Sequence, residues 1–537
     1  MKHLLDRASA MRLVLPLLLI WPLSAAQVRV IPEWKHGVSA PLRDMVFKSL
    51  SGEQGDPDDE EPTFEGPARV VRQVDPVLQA KPSTTLATVP GLNLLGLGTG
   101  FTGPQGAFPF AFAPPDPNSA VGATQVVETV NLSFAVFDKT TGATVLGPIP
   151  IASLWNGFNA SCSSTVGLSL ADPIVLYDKI AGRWVVKIVT LLDPYFVCMA
   201  VSTTSDATGT WYQYAFSVPA DGRQSGQKMG LWPDGYYLSQ WTYNASGTYA
   251  GPEACVVNRA QMIIGQTATM QCYQLKNTTI YGMLPSDLDG MTAPPTGSPN
   301  YFLIQGPAGS NTLLLYSFHV NFTTPADSTF TGPVKVAVAA YTPGSRDMLV
   351  ALPQPGTSEL LDVNGSDLMH RLAYRNFATA SPPHESLVVT QSVIVGTGTT
   401  SRTGVRWYEL RSPGTTPTVY QQGTYSPNTT NRWMGSIAMD MMGNMAIGYT
   451  AGSATIYPSI RYTGRQVTDP LNTMENEVSI FAGVGSQTVG GRWGDYSSMS
   501  VDPSDDCTMW YTGEYMGTTG QLNWGTRLFS FKFPSCP

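Results

Sequence analysis

The sequence predicts an all-β fold, a β-propeller of seven blades, with six fitting its strand clusters nearly as well. Three observations carry that expectation: low charge among many turn-forming residues, a recurring strand–turn–strand grammar, and a repeat near the C-terminus. Charged residues are 13% of the 537-residue chain, about half the usual globular share. With 52 Gly and 42 Pro, short strands between turns fit better than exposed amphipathic helices.

The N-terminus reads as an export signal. Lys2, Arg7 and Arg12 precede an apolar run from Leu13 to Leu23, and Ser24-Ala25-Ala26 supplies small residues for cleavage after Ala26. Asp6 is unusual in such a leader, and Met11-Arg12 gives a cleaner start. No later stretch approaches the length of apolar chain that spans a bilayer, so no transmembrane anchor is expected. Residues 27–97 differ from the rest. Glu53, Asp56, Asp58, Asp59, Glu60, Glu61 and Glu65 crowd into Gly52 to Glu65, and like charges repel, so the segment reads as a disordered pro-segment or linker. The propeller is then expected over 98–537.

From about Gly98 short β-branched and aromatic runs take over. Val126 to Val130 and Ser133 to Phe137 lead into the turn Asp138 to Gly142, and Ile174 to Tyr177 leads into Asp178 to Gly182 and then Arg183-Trp184-Val185-Val186. In each turn the Asp carboxylate can accept backbone N–H groups while Gly takes a positive φ. Near the C-terminus, RWMGSIAMDMMGNMAIGYT (432–450) echoes RWGDYSSMSVDPSDDCTMWYT (492–512). Two copies about 60 residues apart point to repeated sheets. Trp184, Trp211, Trp407, Trp433, Trp493 and Trp510 are candidates to fill the space between sheets. The strand from Arg527 to Phe533 could close the ring against an early strand.

Six cysteines follow the leader, an even count that reads as three disulfides in an exported chain. Fifteen pairings are open. Neighbour pairing closes the shortest loops: Cys162–Cys198, Cys255–Cys272 and Cys507–Cys536. Seven sequons (Asn131, Asn159, Asn244, Asn277, Asn321, Asn364 and Asn428) are compatible with an extracellular glycoprotein. A net charge of −8 argues against nucleic acid, which needs a basic footprint.

Thr204, Asp206, Gly209, Thr210 and Trp211 resemble the Asp-box hairpin of sialidase-type propellers, with Gly209 one place late. More broadly, DPIVLYDKIAGRW, AVSTTSDATGTWYQYAF, GLWPDGYYLS, RWMGSIAMD and RWGDYSSMSVDPSDDCTMWYTGEY resemble a group of secreted, mostly bacterial proteins with propeller-like repeats and no established activity. The resemblance covers nearly everything after residue 95. It implies secretion and a propeller-like β fold, and brings no catalytic residues.

Two functional classes follow. A hydrolase of acidic sugars in the sialidase manner needs converging arginines for a carboxylate, a tyrosine nucleophile with its glutamate, and an acid/base aspartate. Arg432, Arg461, Arg492, Tyr511, Glu514 and Asp495 could supply them. Against this, Arg432 and Arg492 occupy one place in a repeat, which reads as scaffold. Tyr511 and Glu514, three apart on a strand, face opposite sides. A lyase would draw on His319, His370 or His384 as base, but an exposed His384 beside Glu385 is more often a solvated pair. The other class is a binding protein for an extracellular glycan or protein, with Tyr236, Tyr237, Trp241 and Trp524 as stacking candidates or as ordinary core. It asks for fewer unseen features and is preferred. No cofactor is expected. Structural calcium could use Asp287 and Asp289, or Asp502, Asp505 and Asp506, although turn chemistry explains these residues as well.

Overall fold

The computed structural model describes residues 28–47, 72–109, 112–158, 161–165, 169–218, 224–344, 352–363 and 367–537. The chain is a β-propeller. Among the described residues the main strands fall into seven four-stranded antiparallel sets, within 118–150, 170–217, 224–274, 284–337, 368–425, 431–481 and 498–532 plus Val89–Gly98. Each set is called a sheet below, numbered in that order.

The first strands of the sheets neighbour one another around an axis: Asn118–Val121, Leu170–Asp178, Gln224–Leu231, Leu284–Leu288, Leu368–Phe377, Asn431–Met439 and Ser498–Val501. Strands this close to an axis cannot all share a continuous ladder, so side chains satisfy backbone groups across the gaps. Asn118 Oδ1 accepts the Val175 N–H at 2.8 Å, Asp287 Oδ1 that of Leu231 at 2.9 Å, and Ser436 Oγ that of Met499 at 3.0 Å. Ser498 Oγ accepts the Ser119 N–H at 2.9 Å, joining sheet seven to sheet one. Sheets four and five are tied by a short parallel pairing of Ser286–Leu288 with Leu372–Tyr374.

The ring closes through the early chain. Val89–Gly98 is the outermost strand of sheet seven, pairing antiparallel with Trp524–Lys532, so the expected boundary at residue 98 falls at the end of a strand. The expectation of a solvated segment over all of 27–97 is corrected at both ends. Arg29–Val38 pairs through Glu33–Val38 with Trp211–Ser217 and through Arg29–Pro32 with Thr269–Gln274, fusing sheets two and three into nine strands. Leu78-Gln79 runs parallel to Thr424-Tyr425. The reason is physical: outer strands present unpaired N–H and C=O groups, and a passing segment satisfies them whatever its side-chain pattern. The leader and the acidic run 52–65 lie outside the described residues.

The hairpin grammar holds. Asp138 Oδ1 accepts the N–H groups of Thr140 and Thr141, Asp178 Oδ1 those of Ile180 and Ala181, and Asp440 Oδ1 those of Met442 and Asn444. Gly142, Gly182 and Gly443 take positive φ in those turns. The Asp-box-like stretch is likewise a turn: Asp206 Oδ1 accepts the Thr208 N–H at 2.9 Å and the Trp211 indole donates to Ala207 O at 3.0 Å. All six tryptophans named from the sequence are buried between sheets. Trp433 and Trp493 meet at 6.2 Å between ring centroids.

Three disulfides join Cys162 to Cys198, Cys255 to Cys272 and Cys507 to Cys536. The middle pair is cross-strand, with Cα atoms 4.1 Å apart. One glycosylation expectation is corrected. Asn131 is buried, its amide donating to Pro114 O at 2.8 Å, which leaves no room for a glycan. Asn244, Asn277 and Asn428 are exposed and Asn321 is half-buried, while Asn159 and Asn364 lie outside the described residues.

Candidate functional site

Among the described residues, two small cavities on the axis share His370. One opens where the first strands end in their hairpins, and the other where those strands begin. Their volumes, about 40 and 30 Å³, hold a few waters each, so a larger ligand must engage a mouth.

The hairpin end is closed by ion pairs. Arg371 donates to Asp287 at 2.6 Å and to both Asp289 oxygens, and also to Met499 O at 3.1 Å. Lys179 donates to Leu288 O. Its ammonium is held below the ordinary lysine range by burial, against the pull of Asp289 and Asp287. Nearby, Lys139 bonds Asp502 at 2.9 Å and Arg375 takes both oxygens of Asp506 at 2.7 Å. Asp505 caps the Cys507 and Thr508 N–H groups. This corrects the calcium expectation: Asp287, Asp289, Asp502 and Asp506 already have cationic partners, and Asp505 is turn chemistry. Among the described residues, metal-ligand spacing is met by Glu253, Cys255 and Cys272, whose sulfurs are joined in a disulfide.

The strand-start end is built differently. Each sheet must turn sharply into the crowded axis, and most do so through a residue of positive φ: Asp116, Asp172, Gly226, Gly282, Met434 and Asp495. Three of these positions carry Asp, one of the few side chains that tolerates the left-handed region. Asp172 Oδ2 accepts the Gly226 N–H at 3.1 Å, lacing sheet two to sheet three. The cavity here is lined by Lys228, Trp241, Asp367, His370 and Asp495 among others. The Lys228 ammonium lies 4.3 Å from the centre of the Tyr496 ring, and the His370 and Tyr496 rings are 6.0 Å apart. The Tyr496 hydroxyl donates to Pro173 O at 3.0 Å.

The electrostatics follow from burial among like charges. Desolvation, with Lys228, Arg371 and Lys187 nearby, holds His370 well below the usual histidine range, so it is neutral. Lys187, fully buried on the second strand of sheet two, has no hydrogen-bond partner for its ammonium among the described residues. Burial pushes it down to about 7, opposed by Asp172 and Asp116 and reinforced by Lys228. Burial and the carboxylates Asp116, Asp172 and Asp495 push the Tyr496 phenol well up.

The arginine constellation does not assemble. Arg432, fully buried, is neutralised bidentately by Glu477 at 2.8 Å, and Arg461 reaches the same carboxylate at 2.7 Å. Arg492 instead holds Asp495 at 2.9 Å. Tyr511 packs its ring against Gly448 of sheet six. Glu514, on the opposite parity of that strand, accepts the Gly494 N–H at 2.8 Å, and burial raises its carboxyl well above the usual range. The aromatic candidates are corrected too. Tyr236, Tyr237 and Trp524 are fully buried, bonding Asp178, Asp234 and Phe112 O. Trp241 alone of the four lines the axial cavity. His384 stacks on Phe377 at 4.9 Å, away from the axis.

Sequence reasoning missed the axial group, apart from Trp241, His370 and Asp495. A signal was present in the twin Asp-Pro steps, Asp116-Pro117 and Asp172-Pro173, each opening a short apolar strand.

No family model matches the chain, and no curated protein matches its sequence. Solved structures resemble it loosely. An α-L-arabinanase of Penicillium chrysogenum is 6% identical with a TM-score of 0.37, over 71% of this chain and 100% of the other. A polysaccharide lyase, ulvan lyase, is 12% identical with a TM-score of 0.34, over 66% and 79%. The WD40 domain of SCAP from fission yeast is 8% identical with a TM-score of 0.33, over 78% and 96%. Likeness at this level assigns no function.

Proposed function

We propose that the chain is a secreted, seven-bladed propeller that binds an extracellular glycan at the strand-start end of its axis. The observation that supports this is the lining of the cavity at that end. At the strand-start end Asp367, Asp495, Lys228 and the Trp241 indole border one cavity. That lining offers acceptors, a donor and an apolar wall, the set that sugar hydroxyls and ring faces require. Three disulfides and the leader support export. The sialidase-like alternative loses support because its arginines are spent on Glu477 and Asp495.

The test is affinity electrophoresis of the full secreted chain through gels containing soluble polysaccharides. Retardation by at least one polysaccharide is expected, weakened about tenfold by Lys228→Met with an unchanged melting temperature. If no polysaccharide retards the protein, or if Lys228→Met leaves retardation intact, the axial glycan site is wrong.

A further inference from the structure

We propose that the hairpin end carries a modification site: Met291, Met441 and Met442 form an oxidant-sensitive thioether patch, and their conversion to sulfoxides makes that face polar while the fold stands. Methionine is dense in the first hairpin of sheet six, at Met439, Met441, Met442 and Met445. The fold separates these residues sharply. Met439 and Met445 pair across the two strands and are buried, whereas Met441 and Met442 sit on the turn between them, each 43% exposed. Met291, in the loop that follows the first strand of sheet four, is 63% exposed. Every other methionine among the described residues is buried, save the half-buried Met45.

The three exposed thioethers are brought to one region by sheets five and seven. The Met441 N–H donates to Asp506 O at 2.9 Å, and Asp506 pairs with Arg375. Gly290, next to Met291, borders the same pair: a Cβ there would lie 2.6 Å from Arg375 Nη1 and 3.0 Å from Asp506 Oδ2. Asn376 donates to Ala293 O at 2.7 Å and holds the Met291 loop against sheet five. Phe377 and the exposed Val467 lie beside Gly443 on the Met441-Met442 turn, which extends the apolar surface. Asp506 O and Asp440 Oδ1 hold that turn by the N–H groups of Met441 and Met442, so its shape does not depend on the two thioethers.

Every cysteine is in a disulfide, which leaves exposed thioethers as the reactive sulfurs of this surface. A peroxide is the co-reactant. The sulfur lone pair attacks one peroxide oxygen, the O–O bond breaks, an S–O bond forms, and the second oxygen leaves as water after proton transfer. Sulfur is oxidised by two electrons and the peroxide is reduced by two. Each sulfoxide puts a polar acceptor where an apolar group stood.

The experiment treats the full chain with dilute hydrogen peroxide and follows each methionine by peptide mass spectrometry. Met291, Met441 and Met442 are expected to gain one oxygen at least about tenfold faster than Met439 and Met445, because attack needs an exposed sulfur. Retention on a hydrophobic-interaction column should fall at an unchanged melting temperature. Methionine sulfoxide reductases of both epimer specificities should restore it. A triple variant, Met291→Leu with Met441→Leu and Met442→Leu, keeps the patch apolar without its sulfurs and should hold its retention in peroxide. Equal rates at Met439 and Met445, slow reaction at any of the three, or a melting temperature that falls with their oxidation would overturn the proposal. A peroxide-dependent loss of retention that persists in the triple variant would overturn it too, by placing the change elsewhere in the chain.

Discussion

Glu128 lies in sheet one where the early chain closes the ring. Its Oε2 accepts the Leu97 N–H at 2.8 Å, and its Oε1 meets the Thr526 hydroxyl at 2.5 Å, which also bonds Leu97 O at 2.7 Å. Gly96 passes so close that a Cβ there would come within 2.6 Å of the carboxylate. Burial, only partly offset by Thr526 and Leu97, raises its pKa from 4.5 to about 8. The folded state therefore keeps the proton while the unfolded chain releases it. Stability from this group is full below the unfolded value and is lost as pH rises toward about 8. At about 1.4 kcal/mol per unit, the loss has a ceiling of roughly 5 kcal/mol. Glu128→Gln copies the protonated form, with an oxygen for Leu97 N–H and a donor for Thr526. Urea unfolding of both proteins should give stabilities within about 1 kcal/mol near about pH 5, and the variant ahead by about 3–5 kcal/mol near about pH 8.5. Parallel pH profiles, or a variant less stable at the higher pH, would refute the reasoning.

Two further predictions concern the Arg-Trp repeat. Trp493→Ala removes a buried indole that packs on Trp433 and donates to Thr450 at 3.1 Å. It should cost about 3–5 kcal/mol by thermal or urea melts, and a loss under about 1 kcal/mol would show that the space between sheets six and seven can collapse. Arg432→Lys should cost several-fold more stability than Arg492→Lys. The first loosens a bidentate pair whose arginine is fully buried, with roughly 3–5 kcal/mol, the cost of losing one partner outright, as its ceiling. The second disturbs a part-exposed pair worth about 1 kcal/mol or less. Equal losses would mean that the two arginines do one job in equivalent surroundings.

That comparison also marks how far the sequence could be read. The repeat was visible because Arg-Trp and Tyr-Thr recur with strand spacing, and the tryptophans do converge. Their arginines do not share an environment: Arg432 finds Glu477, 45 residues on, whereas Arg492 closes on Asp495 within its own turn. Turn chemistry was legible because Asp and Gly act within a few residues. The cysteines behaved likewise, since each pair belongs to one local unit. The pairing of Arg29–Val38 was not legible, because backbone groups recruit a strand without demanding an alternating side-chain pattern. The axial site was largely hidden for a related reason. Its residues come one at a time from the starts of strands far apart in the chain, so no spacing announces them.

The axial aspartates bear two duties, and this decides which substitutions can inform on ligand binding. Most first strands enter the axis through a left-handed residue, and glycine takes that conformation without strain at Gly226 and Gly282. Asp116, Asp172 and Asp495 accept the strained region, at a cost of order 1 kcal/mol or more each. Asp172 offsets it by accepting the Gly226 N–H, and Asp495 by pairing with Arg492. Replacing either would disturb the ring as well as any ligand, and loss of binding would be uninformative. Lys228 is different. It sits two residues beyond the left-handed Gly226, its ammonium touches the Tyr496 ring, and it borders the cavity. Methionine keeps its length and its contact with that ring while removing the charge. A binding defect in Lys228→Met at constant melting temperature therefore reports on the ligand alone, and the same defect with a lowered melting temperature would place Lys228 among the residues that hold the ring together.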